Sequence, residues 1–114
     1  MSRDDAYLLD IDKAARLIIQ FTRDKDRPAF LVDMMTQSAV LHQLRVLGEA
    51  VKRLSADFRA GHTQIPWKEI AGMRDRLIHG YDRVDLKEVW RVAQGDVPEL
   101  VAMIEPLLPN EDPS

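Results

Sequence analysis

Between positions 74 and 81 the chain reads Arg74-Asp75-Arg76-Leu77-Ile78-His79-Gly80-Tyr81. An arginine, a histidine and a tyrosine in so short a stretch suit phosphodiester chemistry that uses no metal. A histidine titrates near neutrality and can take or give a proton. An arginine offers planar paired donors to phosphate oxygens and steadies the charge that develops in a transition state. A tyrosine hydroxyl can bond a phosphate oxygen, or can itself be the nucleophile towards a modifying enzyme. For RNA cleavage, His79 would deprotonate a ribose 2′-hydroxyl while Arg74 holds the scissile phosphate. Asp75 would fix the imidazole in one tautomer and raise its pKa, as a triad carboxylate does.

These groups must be brought together by whatever carries them. Read as one helix through residue 81, with about 100° per residue, the stretch sets Arg74 beside Tyr81 and makes Asp75 and His79 i,i+4 neighbours. The four span an arc of about 160°, too wide for one point. Convergence therefore calls for the helix end at Gly80 or for a second subunit, whose two-fold axis would set two copies across one cleft. On residue types alone a bland arrangement stays open: His79 capping a helix C-terminus, an Arg74–Asp75 surface pair, and Tyr81 in the core.

Other chemistry finds little support. The chain has no cysteine, and its histidines, at 42, 62 and 79, form neither an HxxxH pair nor a carboxylate-rich site, so no metal or cofactor is expected. There is no glycine-rich phosphate loop and no GxSxG elbow. His62 is expected in a loop and His42 at a helix interface. Trp67 and Trp90 read as core anchors, and Met34, Met35, Met73 and Met103 as packing or interface filler.

The periodicity predicts an all-α fold, an antiparallel bundle of about four to six helices. Tyr7, Ile11, Ala14, Ile18 and Phe21 mark a first helix over 4–22. Asp24 to Pro28 is a polar connection, and a short helix follows over 29–35. The long helix is expected over 36–60, where Val40, Leu44, Leu47, Val51, Leu54 and Phe58 keep a 4-3 spacing. Gly48 within it is tolerable if another backbone packs close. Pro66 opens a fourth helix that Gly80 ends. Asp85 to Glu88 has the form of a capping box for a fifth, and Asp96 to Glu99 repeats that start signal for a sixth, which Pro106 kinks or ends.

At 114 residues the chain is expected to be one domain over 1–108, with a frayed tail over 109–114. The net charge is −3, but it is uneven: −1 over residues 1–42, +3 over 43–91 and −5 over 92–114. The balance argues against a general nucleic-acid coat, while the basic middle admits a local RNA contact. Asp4 and Asp5 interrupt any signal-type start and no apolar run reaches membrane length, so a cytoplasmic location and no membrane partner are expected.

The stretch GMRDRLIHGYDRVDLKEVW, together with IPWKEI and LGEAVKRLSADF upstream, resembles the HepT-like toxins of the HEPN superfamily. Their R-x4-H-x-Y signature falls on Arg74, His79 and Tyr81. The resemblance covers nearly the whole chain. It implies a helical homodimer whose signature residues line a shared cleft, and a metal-independent ribonuclease toxin. Its partner would be a minimal nucleotidyltransferase antitoxin that in some systems transfers AMP to the motif tyrosine, here Tyr81. The chain departs from the pattern at Asp75, where many relatives carry asparagine, and at Asp82, where many carry an aromatic residue. An alternative of another class is a non-catalytic helical partner, or nucleotide-binding subunit, of a nucleotidyltransferase.

Overall fold

The computed structural model describes residues 1–78 and 83–109. Among these the chain is helical, with one isolated antiparallel bridge and no strand, as the apolar spacing predicts.

Helix α1 runs over Arg3–Thr22 and opens on a reciprocal cap: the Ser2 hydroxyl accepts from the Asp5 N–H, and the Asp5 carboxylate from the Ser2 N–H. Such a cap satisfies donors that no helical carbonyl can reach. Its neighbour Asp4 accepts from the backbone N–H and the hydroxyl of Ser55, both at 2.8 Å. These bonds hold the Asp4 carboxyl below the usual carboxylate range and tie the start of α1 to the end of the long helix.

The short helix α2 covers Arg27–Leu31, with Asp26 as its cap and Pro28 in its first turn. It ends earlier than the periodicity suggests, because Asp33 starts the next helix. The Asp33 carboxylate accepts from the N–H and the hydroxyl of Thr36 and faces Lys25 Nζ at 3.0 Å. Helix α3 therefore spans Met34–Arg53. It also stops earlier than expected. Leu54 is extended, with ψ 142°, and Ser55 caps a separate helix α4, Ala56–Ala60. A serine whose side chain competes for backbone donors favours such a restart. The seam survives the break: Val40, Leu44, Leu47, Val51 and Leu54 are buried, with Phe58 half-buried against them.

Helix α5, Trp67–Ala71, follows Pro66, and Gly72 separates it from α6, Met73–Leu77. Helix α7, Leu86–Arg91, is capped by the Asp85 carboxylate, which accepts from the Glu88 N–H. The expected fresh start at Asp96 does not occur. The helix continues from α7 through one π-turn, 92–96, into α8, Val97–Ile104. Asp96 makes no capping bond. Pro98 brings no N–H to the carbonyl one turn back, and the wider turn, in which the Val97 N–H reaches the Val92 carbonyl, absorbs that mismatch. Pro106 then lies in a closing 3-10 turn, 105–107.

The core lies where α1 packs along α3 on one side and α8 on the other. Leu8, Ile11, Ile18, Leu47, Leu100 and Ile104 are fully enclosed. Among the described residues no helix is long and apolar enough to cross a membrane. The expected tail lies, from residue 110 onward, outside the described residues.

Candidate active site

Arg74 stands in the second residue of α6. What seats that short helix is a glycine. A Cβ on Gly48 of α3 would lie 3.0 Å from the Ala71 carbonyl oxygen, so the end of α5 rests on the bare backbone of α3. Arg76 braces the same turn, its Nη1 donating to the Glu69 carbonyl at 2.8 Å. The Glu69 carbonyl, freed where the helix breaks at Gly72, thus keeps a partner.

Around this contact lies a shallow cleft of about 50 Å³. Arg45, Gly48, Glu49 and Lys52 of α3 form one wall, and Ala71, Arg74 and Asp75 the other. The Arg74 side chain is 37% exposed, and its Nη1 lies 4.0 Å from an Asp75 oxygen, too far for a hydrogen bond. Its donors therefore face the cleft without a tight partner among the described residues. Asp75 is largely exposed, at 71%.

The helix does not run on to Gly80 as the sequence suggests. It ends at Leu77, and Ile78 is extended, with φ −112° and ψ 114°. Ile78 then pairs antiparallel with Val84, and the Asp85 N–H donates to the Leu77 carbonyl at 2.9 Å. The helical projection of the motif therefore holds only as far as Leu77, and the expected Asp75–His79 neighbourhood lies outside the described residues. A pairing that helical periodicity does not show ends the helix and draws Ile78 and Val84, on either side of residues 79–82, together. His79, Gly80, Tyr81 and Asp82 lie outside the described residues.

The remaining candidates fall as follows. His42 is exposed and meets no helix interface among the described residues. His62 sits in the turn after α4, its ring 4.5 Å from that of Phe58. Trp67 is buried and donates its indole N–H to the His62 carbonyl, and Trp90 packs on Phe30 at 5.3 Å; both are core anchors. Met73 is buried and Met103 half-buried, while Met34 and Met35 project into solvent beside Val32. Among the described residues no three histidine or acidic side chains gather as metal ligands would. Sequence reasoning overlooked Arg45, Glu49 and Lys52. Their spacing of four and three on one face, with Gly48 among them, was the signal available.

Comparison with known proteins bears on this stretch and on the whole chain. The family model described as "Ribonuclease HepT-like" matches residues 11–107. A protein of Thermococcus cleftensis named "Probable ribonuclease HepT" is 45% identical over 101 residues, covering 89% of this chain and 92% of its own. A "Putative RNase" of Methanocaldococcus jannaschii is 42% identical over 103 residues, covering 90% and 89% respectively. No solved structure gives a significant match. With a family match that takes in the α3 wall, the Arg74 segment and the helices enclosing them, the chain belongs to the ribonuclease HepT-like family.

Proposed function

We propose that the chain is the toxin of a toxin–antitoxin pair, a metal-independent endoribonuclease. His79 is the general acid/base, Arg74 the phosphate clamp, and Tyr81 a phosphate contact and the modification site. Asp75 orients the reacting groups. The observation that carries this reading is the family match over residues 11–107, with Arg74 opening onto a cleft and without a tight ion pair among the described residues.

In the reaction His79 takes the proton of a ribose 2′-hydroxyl. The 2′-oxygen attacks phosphorus, the bond to the 5′-oxygen breaks, and that oxygen leaves with a proton returned by an imidazolium. A cyclic phosphate and a 5′-hydroxyl end result. Arg74 holds the non-bridging oxygens, where negative charge grows. Two copies of the chain, paired beside the motif, supply the shared groove.

The partner is a minimal nucleotidyltransferase acting as antitoxin. It joins the Tyr81 oxygen to the α-phosphorus of ATP, releasing pyrophosphate and the phenolic proton. The added AMP brings bulk and negative charge to the groove and repels RNA.

Purified protein is expected to cleave RNA in EDTA, and His79→Ala to abolish this with unchanged circular dichroism. Equal cleavage by both would assign the activity to a contaminant. The exposed Asp75 carboxylate beside Arg74 favours a second reading, a non-catalytic partner that is only modified. An increment of one AMP on Tyr81, with no RNA cleavage by unmodified protein, would select it.

A further inference from the structure

We propose that Arg45 and Lys52 of α3 are phosphate-binding residues that hold an RNA strand on either side of Arg74; this rests on the ribonuclease reading above. Both residues line the wall that faces Arg74. Seven positions apart, they lie on one face of α3 with about 10 Å of helix rise between them. Gly48 sits between them, and it is there that α3 meets Ala71, three residues before Arg74. The strand would therefore lie along α3, its central phosphate at Arg74 and its flanking phosphates at Arg45 and Lys52.

The ion pairs distinguish these cations from three others. Arg16, Lys25 and Arg91 each hold a carboxylate at 3.0 Å. In the cleft, Lys52 and Glu49 stand 4.0 Å apart, as do Arg74 and Asp75. Arg45 makes no ion pair among the described residues. Cations so loosely held can turn to an incoming phosphate without breaking a good pair. The cleft's own balance, three cations against Glu49 and Asp75, is positive in a protein of net charge −3. Arg45 also borders a second hollow of about 280 Å³ between α1 and α3, beside Tyr7, Asp10 and Arg53. That hollow continues the strand's path beyond the cleft.

The test measures binding of a labelled single-stranded oligoribonucleotide to His79→Ala protein over a range of salt, by fluorescence anisotropy. Adding Arg45→Gln and Lys52→Gln is expected to raise Kd at least tenfold. The log–log salt slope should become shallower by about 1.4, the value for two single-strand phosphate contacts. Arg16→Gln, a cation outside the cleft, should leave both unchanged. Arg45 and Lys52 are exposed, so folding should survive; should the double change unfold the protein, each single change is expected to remove about 0.7 of slope. Unmoved affinity, or an equal loss in Arg16→Gln, would overturn the inference. Failure of the unaltered protein to cleave RNA would bring down the ribonuclease reading and this one with it. Cleavage with unmoved affinity in the variants would remove this one alone.

Discussion

A guanidinium without a tight carboxylate partner among the described residues is the feature of Arg74 with most chemical consequence. If it clamps a phosphate, Arg74→Ala should lower kcat by about 10²–10³-fold, the usual cost of one donor on a developing charge. Arg74→Lys should recover little, because a point charge cannot reproduce a planar pair of donors. Single-turnover cleavage of a defined RNA measures both. Asp33 lends itself to a pH experiment. Hydrogen bonds from the Thr36 hydroxyl and N–H, and the ammonium of Lys25, pull its carboxyl down to about 2. An unfolded aspartate titrates at about 3.9. A lowered folded pKa means that the charged form stabilises the fold above about pH 4, and that this contribution fades as pH falls through about 2. Asp33→Asn should therefore melt below the unaltered protein at pH 7, the gap closing towards pH 2. A gap independent of pH would mean that the charge is not what stabilises the cap.

At the scale of the elements, Gly48 settles how α5 and α6 sit on α3. Gly48→Val should destabilise the protein by about 1–3 kcal/mol, since the Ala71 carbonyl must move away from the new side chain. It should also lower cleavage by more than the unfolded fraction explains, because Arg74 moves with that carbonyl. Denaturant unfolding and activity at 25 °C separate the two effects. Much of this scaffold was legible beforehand. The 4-3 seam of α3, Pro28 in the first turn of α2, the cap at Asp85 and the need for a close backbone at Gly48 all follow from side-chain type and period. What escaped was set by pairings outside the helical period. Ser55 ends the long helix in the company of Asp4, which lies 51 residues away. Ile78 leaves α6 because Val84 pairs with it. At Asp96 the local signal was real, but a helix already running through a π-turn had no need of a new start. The arginine of the motif was legible as a candidate. The walls opposite it were not, since Arg45 and Lys52 look like ordinary solvated charges until α5 is laid across α3.

As a whole, the molecule is a slab of 42 × 33 × 20 Å. Its short axis equals about two helix diameters, so one copy offers grooves rather than an enclosed chamber. That geometry is in keeping with a groove completed by a second copy. Sedimentation equilibrium is expected to give twice the chain mass at micromolar concentration. A strictly monomeric protein that still cleaves RNA would rule out the shared groove. If the chain is the toxin proposed above, the seating of Ala71, three residues before Arg74, on a bare glycine carries a further consequence. A contact that depends on the absence of side-chain atoms can be lost through many different single-base changes, and restored by few. Cells selected for survival of an unopposed copy of this gene should therefore yield escape alleles at codon 48 as well as at the motif, encoding protein that still accumulates but no longer kills.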